Sequence, residues 1–169
     1  MYARTDGGAG IGGVVEQLVY SWRILVGLTR TVADIPAALL PAIALSRARG
    51  RTSLWRKYGY ASPLESITRD QADQLREVFD GESGDEWTVH IAYEFRQPLL
   101  ADVLSSIPSD EPVFVVPMYA ADSAFTHNLS RMTVREMGRR GVEVLPPIDV
   151  ERLAAISADH VLDYVGGAT

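Results

Sequence analysis

Segments with helix periodicity alternate with short runs of β-forming residues from residue 62 onward. The three runs, residues 87–93, 113–116 and 142–145, are rich in β-branched and aromatic residues. A helical pattern follows each of them, and this alternation is typical of a parallel sheet covered by helices. We therefore predict an α/β fold, a three-layer αβα domain with a short parallel sheet. The continuous apolar run 113–116 is expected to be buried on both faces of that sheet.

Two helices are predicted before the alternating region. Residues 14–29 have apolar side chains at helical spacing over a broad stripe. Residues 35–48 form the second helix, which follows Asp34 as a good N-cap and is expected to end at Gly50. The sequence thus predicts a helical lip region over about residues 12–50 and a sheet core over about residues 62–165.

Capping signals set the expected helix ends in the sheet core. Thr68 and Gln71 form a capping box for a helix that runs to about residue 80. Pro98 is expected to start the next helix, because proline is tolerated in the first turn. A helix over 125–140 should end at Gly141, and Asp149 should cap a last helix to about residue 165.

Length and composition limit the function classes. A chain of 169 residues has the size of one domain, so we predict a single domain over 1–169. The absence of cysteine excludes disulfides, thiolate nucleophiles and iron-sulfur clusters, and leaves His, Asp, Glu or backbone oxygen for any metal. A net charge of -6 gives no support for nucleic-acid binding.

The N-terminal region gives an expectation for where in the cell the protein is located. Residues 1–13 are polar and glycine-rich and lack the pattern of a secretory signal, so we expect a cytoplasmic protein. Residues 11–45 are apolar but are interrupted by charged residues and prolines, which excludes a span of about 20 apolar residues. They suit a helical hairpin with one apolar face that contacts a membrane surface peripherally or binds a partner.

Three segments carry a family resemblance. Residues 55–68 read WRKYGYASPLESIT, residues 89–103 read VHIAYEFRQPLLADV, and residues 113–126 read VFVVPMYAADSAFT. In this order and spacing they resemble the N-terminal half of the ferrochelatases, enzymes that insert ferrous iron into a porphyrin ring. The resemblance covers about residues 12–150, and the Ser-Pro-Leu segment is its most specific part.

The sequence also departs from the family pattern. Tyr60 and Ala61 replace two of three glycines that let the family's backbone approach the macrocycle, and Glu94 and Phe95 replace a basic-aromatic pair. The family's second half carries Ser-x-His-Gly-x-Pro, whose histidine takes part in metalation, and these 169 residues lack that motif. The resemblance therefore implies that a second copy or a second chelatase-like subunit completes the site.

The resemblance suggests residues for tetrapyrrole binding. Arg47, near Arg49 and Arg51, falls where the family places a pocket arginine, and a guanidinium binds a propionate bidentately. The alternative is that these arginines complement a helix dipole in solvent. The other candidates are aromatic or hydroxyl residues of the matching segments: Trp55, Tyr60, Ser62, Tyr119 and Ser123. The aromatic ones could equally be ordinary core or half-buried residues.

A base and a metal ligand are also required. Ligands of parallel sheets bind beyond the carboxyl ends of the strands, where His127 and Asp122 follow the second predicted strand. An imidazole and a carboxylate can share a metal, although a solvated histidine at a helix start is the alternative. Glu94 directly follows the first predicted strand and could contact the metal or a pyrrole nitrogen, or form a surface ion pair with Arg96 or Arg131.

These observations lead to two functional hypotheses. The first is a ferrochelatase-like enzyme that inserts a divalent metal, ferrous iron, into a porphyrin-type tetrapyrrole, with the metal as substrate and no tightly bound cofactor. The second is a non-catalytic protein that binds a tetrapyrrole or metal, or stabilises a partner enzyme. A different small-molecule reaction on the same scaffold is a third option, because fold does not determine function.

Overall fold

The structure is a computed structural model that describes residues 11–58, 64–82, 86–119, 123–147 and 149–166. The described residues form six α-helices and two short strands, which confirms the mixed α/β class. In chain order the elements are α1 (Ile11–Thr31), a 3₁₀ turn (Ala37–Leu39), α2 (Leu40–Tyr58), α3 (Leu64–Glu82), α4 (Leu100–Ser106), β1 (Val113–Val115), α5 (His127–Met137), β2 (Val142–Val144) and α6 (Val150–Gly166). The chain divides into a first unit, Met1–Ile107, and a second unit, Pro108–Thr169.

Helices α1 and α2 pack against each other as a hairpin, as the sequence predicts. Leu25, Leu40 and Ala44 form a buried apolar cluster between them. Four partly buried residues surround this cluster: Leu18, Leu28, Ile35 and Ile43. Ala44 and Ala48 are completely buried, because their small side chains let the two helix backbones approach closely. Among the described residues, no helix is both long and apolar enough to cross a membrane.

The buried face of α1 differs from the apolar stripe in its sequence. Val15, Val19 and Trp22 are 41–51% exposed, whereas Gln17 and Ser21 are completely buried. The spacing of four residues from Gln17 through Ser21 to Leu25 places these three side chains on one helix face. The face that α1 buries therefore changes from apolar at Leu25 to polar at Ser21 and Gln17.

Helix α2 continues through Gly50 to Tyr58, so the prediction that Gly50 ends the helix was wrong. Thr52 donates a hydrogen bond from Oγ1 to the Ala48 carbonyl at 2.8 Å, within this continuous helix. A helix can tolerate an interior glycine at a cost of about 1 kcal/mol when packing on one face holds it in place. The packing against α1 supplies that support for α2.

Gly50→Ala should raise the free energy of unfolding by about 0.5–1 kcal/mol, because alanine loses less backbone entropy in a helix. A Cβ atom at this position would meet no heavy atom within 4 Å. Denaturant unfolding of the two proteins would measure the difference. Gly138→Ala serves as the control with the opposite expected sign. Gly138 has a left-handed φ of 61°, so a side chain there should lower the free energy of unfolding.

The region from α3 to residue 93 corrects two predictions. Helix α3 begins at Leu64, so Thr68 and Gln71 lie inside the helix and do not form a capping box. Residues 86–92 belong to no described strand, and Tyr93 forms only an isolated bridge, to Leu99. Contacts with α3 hold this segment instead. The Trp87 ring stacks on Phe79 at 5.0 Å, and Arg76 donates a 2.7 Å hydrogen bond to the Val89 carbonyl.

Helix α4 begins at Leu100, two residues after the predicted start at Pro98. The loop before it is closed by backbone hydrogen bonds. The Tyr93 amide donates to the Pro98 carbonyl at 2.9 Å, and the Leu100 amide donates to the Tyr93 carbonyl at 3.0 Å. These hydrogen bonds fix the two ends of the loop that contains residues 94–97.

The second unit contains the predicted parallel pair. Strands β1 and β2 are parallel, with Val113 opposite Val142 and Val115 opposite Val144. Phe114 is 45% exposed, so the prediction that this run is buried on both faces was wrong. Strand side chains alternate between the two faces of a sheet. Val113 and Val115 therefore share the half-buried face, and Phe114 lies on the exposed one.

Two helix ends in the second unit test the capping predictions. Asp149 Oδ1 accepts hydrogen bonds from the Glu151 and Arg152 amides at 2.6 and 3.4 Å, which confirms it as the cap of α6. Helix α5 ends at Gly138, which has a left-handed conformation, and not at Gly141. Gly141 instead precedes β2, where its carbonyl accepts a 2.8 Å hydrogen bond from the Val113 amide.

Candidate functional site

The first unit contains a buried polar layer inside the α1–α2 hairpin. We use this name for Gln17, Tyr20 and Ser21 of α1 with Arg47 and Arg51 of α2. Tyr20 is 2% exposed, and both Gln17 and Ser21 are 0% exposed. The layer lies one helical turn beyond the apolar cluster, because Ser21 precedes Leu25 by four residues and Ala48 follows Ala44 by four.

Tyr20 lies among three arginines. The guanidinium carbon of Arg51 is 5.3 Å from the centre of the Tyr20 ring, and Arg51 hydrogen-bonds the phenolic oxygen. Burial raises the pKa of Tyr20, while the hydrogen bond from Arg51 and the charges of Arg51, Arg47 and Arg96 lower it, with burial the larger effect. The phenol therefore keeps its proton at neutral pH and stays within an electropositive environment.

The raised pKa of Tyr20 predicts a loss of stability at alkaline pH. The folded state holds the proton more tightly than the unfolded chain, whose tyrosine titrates near 10.0. The resulting stabilisation is complete below pH about 10 and is lost as the pH rises above that value. Tyr20→Phe should remove this part of the pH dependence, so denaturant unfolding between pH 8 and 11 should show a shallower decline. Identical declines in both proteins would contradict the assignment.

The loop before α4 adds Phe95 and Arg96 to the surroundings of Tyr20. The Phe95 ring lies edge-on to the Tyr20 ring with centroids 6.5 Å apart, and Phe95 is 5% exposed. Arg23 of α1 donates a hydrogen bond to the Phe95 carbonyl at 3.5 Å. Packing of the buried Phe95 side chain thus holds the loop against α1, which also brings Arg96 near Tyr20.

Arg96 is oriented from two sides. Its guanidinium carbon lies 5.1 Å from the centre of the Tyr93 ring, and its Nη2 atom is 3.3 Å from Oε2 of Glu65 on α3. Glu65 also accepts a 2.6 Å hydrogen bond from Arg69. The described ion pair of Arg96 is with Glu65, and the pairing of Glu94 with Arg96 or Arg131 stays a prediction.

The polar layer contains buried atoms that have no hydrogen-bond partner among the described residues. They include Nε of Arg47 and Oγ of Ser21. A buried polar atom that lacks a partner costs about 1–3 kcal/mol, so native proteins nearly always satisfy it with protein, water or ligand. Arg47 is half-buried and therefore retains some access to solvent. The layer has the donors and the positive charge that an anionic group requires.

The predicted site residues are distributed over both units. Arg47 lies in the polar layer, and the half-buried Glu94 lies in the loop beside Phe95. Trp55 is in α2, but its side chain is outside the described part of the structure, as are Tyr60, Ser62 and Asp122. The remaining candidates, Tyr119, Ser123 and His127, belong to the second unit.

His127 is completely buried at the start of α5, so it is not the solvated histidine of the alternative interpretation. The Tyr119 ring lies edge-on to it, with ring centroids 6.2 Å apart. Ser123 Oγ accepts a 3.0 Å hydrogen bond from the Thr126 amide, so this hydroxyl stabilises the turn before α5. Within the described ranges, no group of three or more His, Asp and Glu side chains is placed to hold a metal ion.

The comparison with known families agrees with this arrangement of elements. Residues 22–152, 131 of the 169, match the sequence profile of the ferrochelatases. The chain belongs to the ferrochelatase family. A search of curated proteins found no match. The ferrochelatase region includes Arg47, Arg51, Arg96 and His127, whereas Gln17, Tyr20 and Ser21 precede it.

Sequence reasoning missed most of the polar layer. It identified Arg47, with Arg51 near it, but assigned no role to Gln17, Tyr20 or Ser21. One signal was present, because Gln17 and Ser21 continue the four-residue spacing that includes Leu25 on the buried face of α1. The approach of Arg96 to Tyr20 had no such signal, since it depends on a long-range contact of the loop with α1.

Proposed function

We propose that this ferrochelatase-family chain takes part in inserting a divalent metal, ferrous iron, into a porphyrin-type tetrapyrrole. We further propose that a second copy or a second chelatase-like subunit completes the site. The observation that carries the proposal is the position of Arg47 in a buried, electropositive layer, because Arg47 is also the residue that the resemblance assigns to the porphyrin pocket.

Arg47 would bind a porphyrin propionate. Its guanidinium can form two parallel hydrogen bonds with a carboxylate, and such charge-assisted bonds are about twice as strong as neutral ones. Partial burial lowers the local dielectric constant and strengthens the interaction further. The ring itself would need an apolar surface next to this arginine.

Glu94 would serve as the base that removes pyrrole protons. Its half-buried carboxylate lies in the same loop as Arg96, next to the base of that loop at Tyr93. We assign His127 and Asp122 to the metal side of the reaction, with Trp55, Tyr60, Ser62, Tyr119 and Ser123 as further substrate contacts. In this proposal the metal is a substrate and no cofactor stays bound.

The complete burial of His127 favours a second candidate function. An imidazole that is closed off from solvent cannot meet an incoming metal unless the residues covering it move. A chain with this arrangement could still bind a tetrapyrrole through Arg47 and deliver or retain it without metalation. The second candidate is therefore a non-catalytic protein that binds a tetrapyrrole or stabilises a partner enzyme.

One titration separates these functions. The purified chain is mixed with protoporphyrin or coproporphyrin, ferrous iron is added without oxygen, and the absorption bands are followed. Metalation faster than in a protein-free control supports the chelatase. Binding of the ring without metalation supports the non-catalytic function, and no binding would exclude both. The solution mass in the same preparation shows whether a second copy is present.

Glu94→Gln should lower the rate of metalation by about 100-fold or more while changing porphyrin affinity less than threefold, because general-base catalysis contributes about 10²–10⁴-fold. Glu77→Gln is the matched control, since Glu77 is an exposed carboxylate on α3. His127→Ala should also affect metalation more than binding, and its thermal unfolding must be compared because His127 is buried. Unchanged metalation in Glu94→Gln would remove Glu94 from the mechanism.

A further inference from the structure

Arg51 and Arg96 both lie near Tyr20, in the layer that contains Arg47. Arg47 and Arg51 are one turn apart on α2, so their side chains leave the same helix face with Cβ atoms about 5–6 Å apart. Arg96 comes from the loop before α4, and all three arginines act on the pKa of Tyr20. Three guanidinium groups from two separate elements are therefore gathered near one buried hydroxyl.

The aromatic rings orient two of these guanidinium groups. Tyr20 lies against the Arg51 guanidinium at 5.3 Å and also hydrogen-bonds it, while Tyr93 lies against the Arg96 guanidinium at 5.1 Å. A guanidinium has five N–H donors in one plane, more than one ring contact and one hydrogen bond require. The ion pair of Arg96 with Glu65 involves Nη2 and does not use the other N–H groups of this guanidinium.

We propose that Arg51 and Arg96 form a second carboxylate-binding point next to Arg47, with Tyr20 as the positioning residue of Arg51. This inference rests on the proposed tetrapyrrole function and specifies its substrate class. The preferred ligand carries two neighbouring carboxylates, of which Arg47 binds one and the Arg51–Arg96 pair binds the other. The buried Ser21 Oγ and Arg47 Nε, which lack a described partner, lie in the same layer and add hydrogen-bonding capacity.

Fixed orientation is the reason for assigning this role to Tyr20. Binding of a carboxylate by a flexible arginine has to order the side chain, and this loss of conformational entropy lowers the affinity. A ring and a hydroxyl that already hold the guanidinium remove most of that cost. Tyr20 lies two residues before the region that matches the ferrochelatases.

The test compares porphyrins that differ only in their free carboxylates. Dissociation constants are measured by porphyrin fluorescence for protoporphyrin IX, its monomethyl ester and its dimethyl ester. Wild type should bind the diacid at least tenfold more tightly than the monoester. Arg51→Gln should weaken diacid binding about 10- to 100-fold and should change dimethyl ester binding less than threefold. Arg49→Gln, which removes an exposed charge from the same helix, is the control and should change both less than twofold.

The role of Tyr20 is tested with a double-mutant cycle. Tyr20→Phe should weaken diacid binding about three- to tenfold in the wild-type background and have no effect in the Arg51→Gln background. A purely structural role would weaken the diacid and the dimethyl ester equally in both backgrounds. Thermal unfolding of each variant identifies any loss of folding, and Arg51→Lys provides a milder variant that keeps the charge.

The outcomes distinguish this inference from the proposed function. Equal affinity of wild type for diacid, monoester and diester would overturn the second carboxylate point while leaving tetrapyrrole binding intact. An Arg51→Gln variant that behaves like Arg49→Gln would overturn it as well. Failure of wild type to bind any of the three porphyrins would overturn the proposed function itself.

Discussion

Leu25→Ala should lower the free energy of unfolding by about 2–5 kcal/mol, the range seen when a buried leucine is truncated and the cavity does not collapse. Leu25 is 3% exposed and packs with Leu40 and Ala44 at the centre of the α1–α2 hairpin. The neighbouring residue Ala44 is completely buried, and its methyl group is too short to fill the cavity that the substitution leaves. Denaturant unfolding monitored by far-ultraviolet circular dichroism measures the change.

Leu54→Ala is the matched control for this substitution. Leu54 lies on α2 of the same hairpin but is 55% exposed, so its truncation should change the free energy of unfolding by at most about 0.5 kcal/mol. Similar losses in both variants would show that the hairpin is not held together by the Leu25 cluster. In that case the polar layer would have to provide most of the hairpin's stability.

Arg47→Gln should weaken porphyrin binding about 10- to 100-fold. A hydrogen bond to a charged group contributes about 1.5–3 kcal/mol, and each 1.4 kcal/mol corresponds to a factor of ten. The same variant should not lose stability, because Nε of Arg47 is buried without a described hydrogen-bond partner and its removal relieves an unsatisfied donor. Fluorescence titration and thermal unfolding of the same preparation measure the two effects.

This pair of measurements also decides between the two interpretations of Arg47. If the arginine only complements the C-terminal end of a helix dipole, the variant should lose about 0.3–1 kcal/mol of stability and keep its affinity for porphyrin. That interpretation is already weakened, because α2 continues to Tyr58 and Arg47 is therefore not in its last turn. Arg49→Gln, on the exposed side of α2, should change neither quantity appreciably.

Local patterns predicted several elements well. The parallel pair β1 and β2 and the Asp149 cap follow from short-range signals, namely β-branched runs and a side chain that accepts hydrogen bonds from nearby amides. The predictions that failed depended on distant partners. Residues 86–92 have the composition of a strand, but a strand needs a neighbouring ladder, and their described contacts are with α3. Likewise, glycine at position 50 is typical of a helix end, but α2 continues to Tyr58 because its packing against α1 stabilises the longer helix.

The candidate site shows the same division. The sequence by itself determined the ferrochelatase family, the mixed α/β class and Arg47 as a tetrapyrrole contact to be tested, because these depend on residue identity and spacing. Only the tertiary structure placed Tyr20 beside Arg51 and brought Arg96 near Tyr20, since these contacts join residues up to 76 positions apart. Burial was likewise decided by tertiary packing, which closed His127 off from solvent and buried Ser21 within an apolar helix pair. The surroundings of a polar group in the folded protein, and not its residue type alone, determine whether its pKa is shifted and whether it has a hydrogen-bond partner.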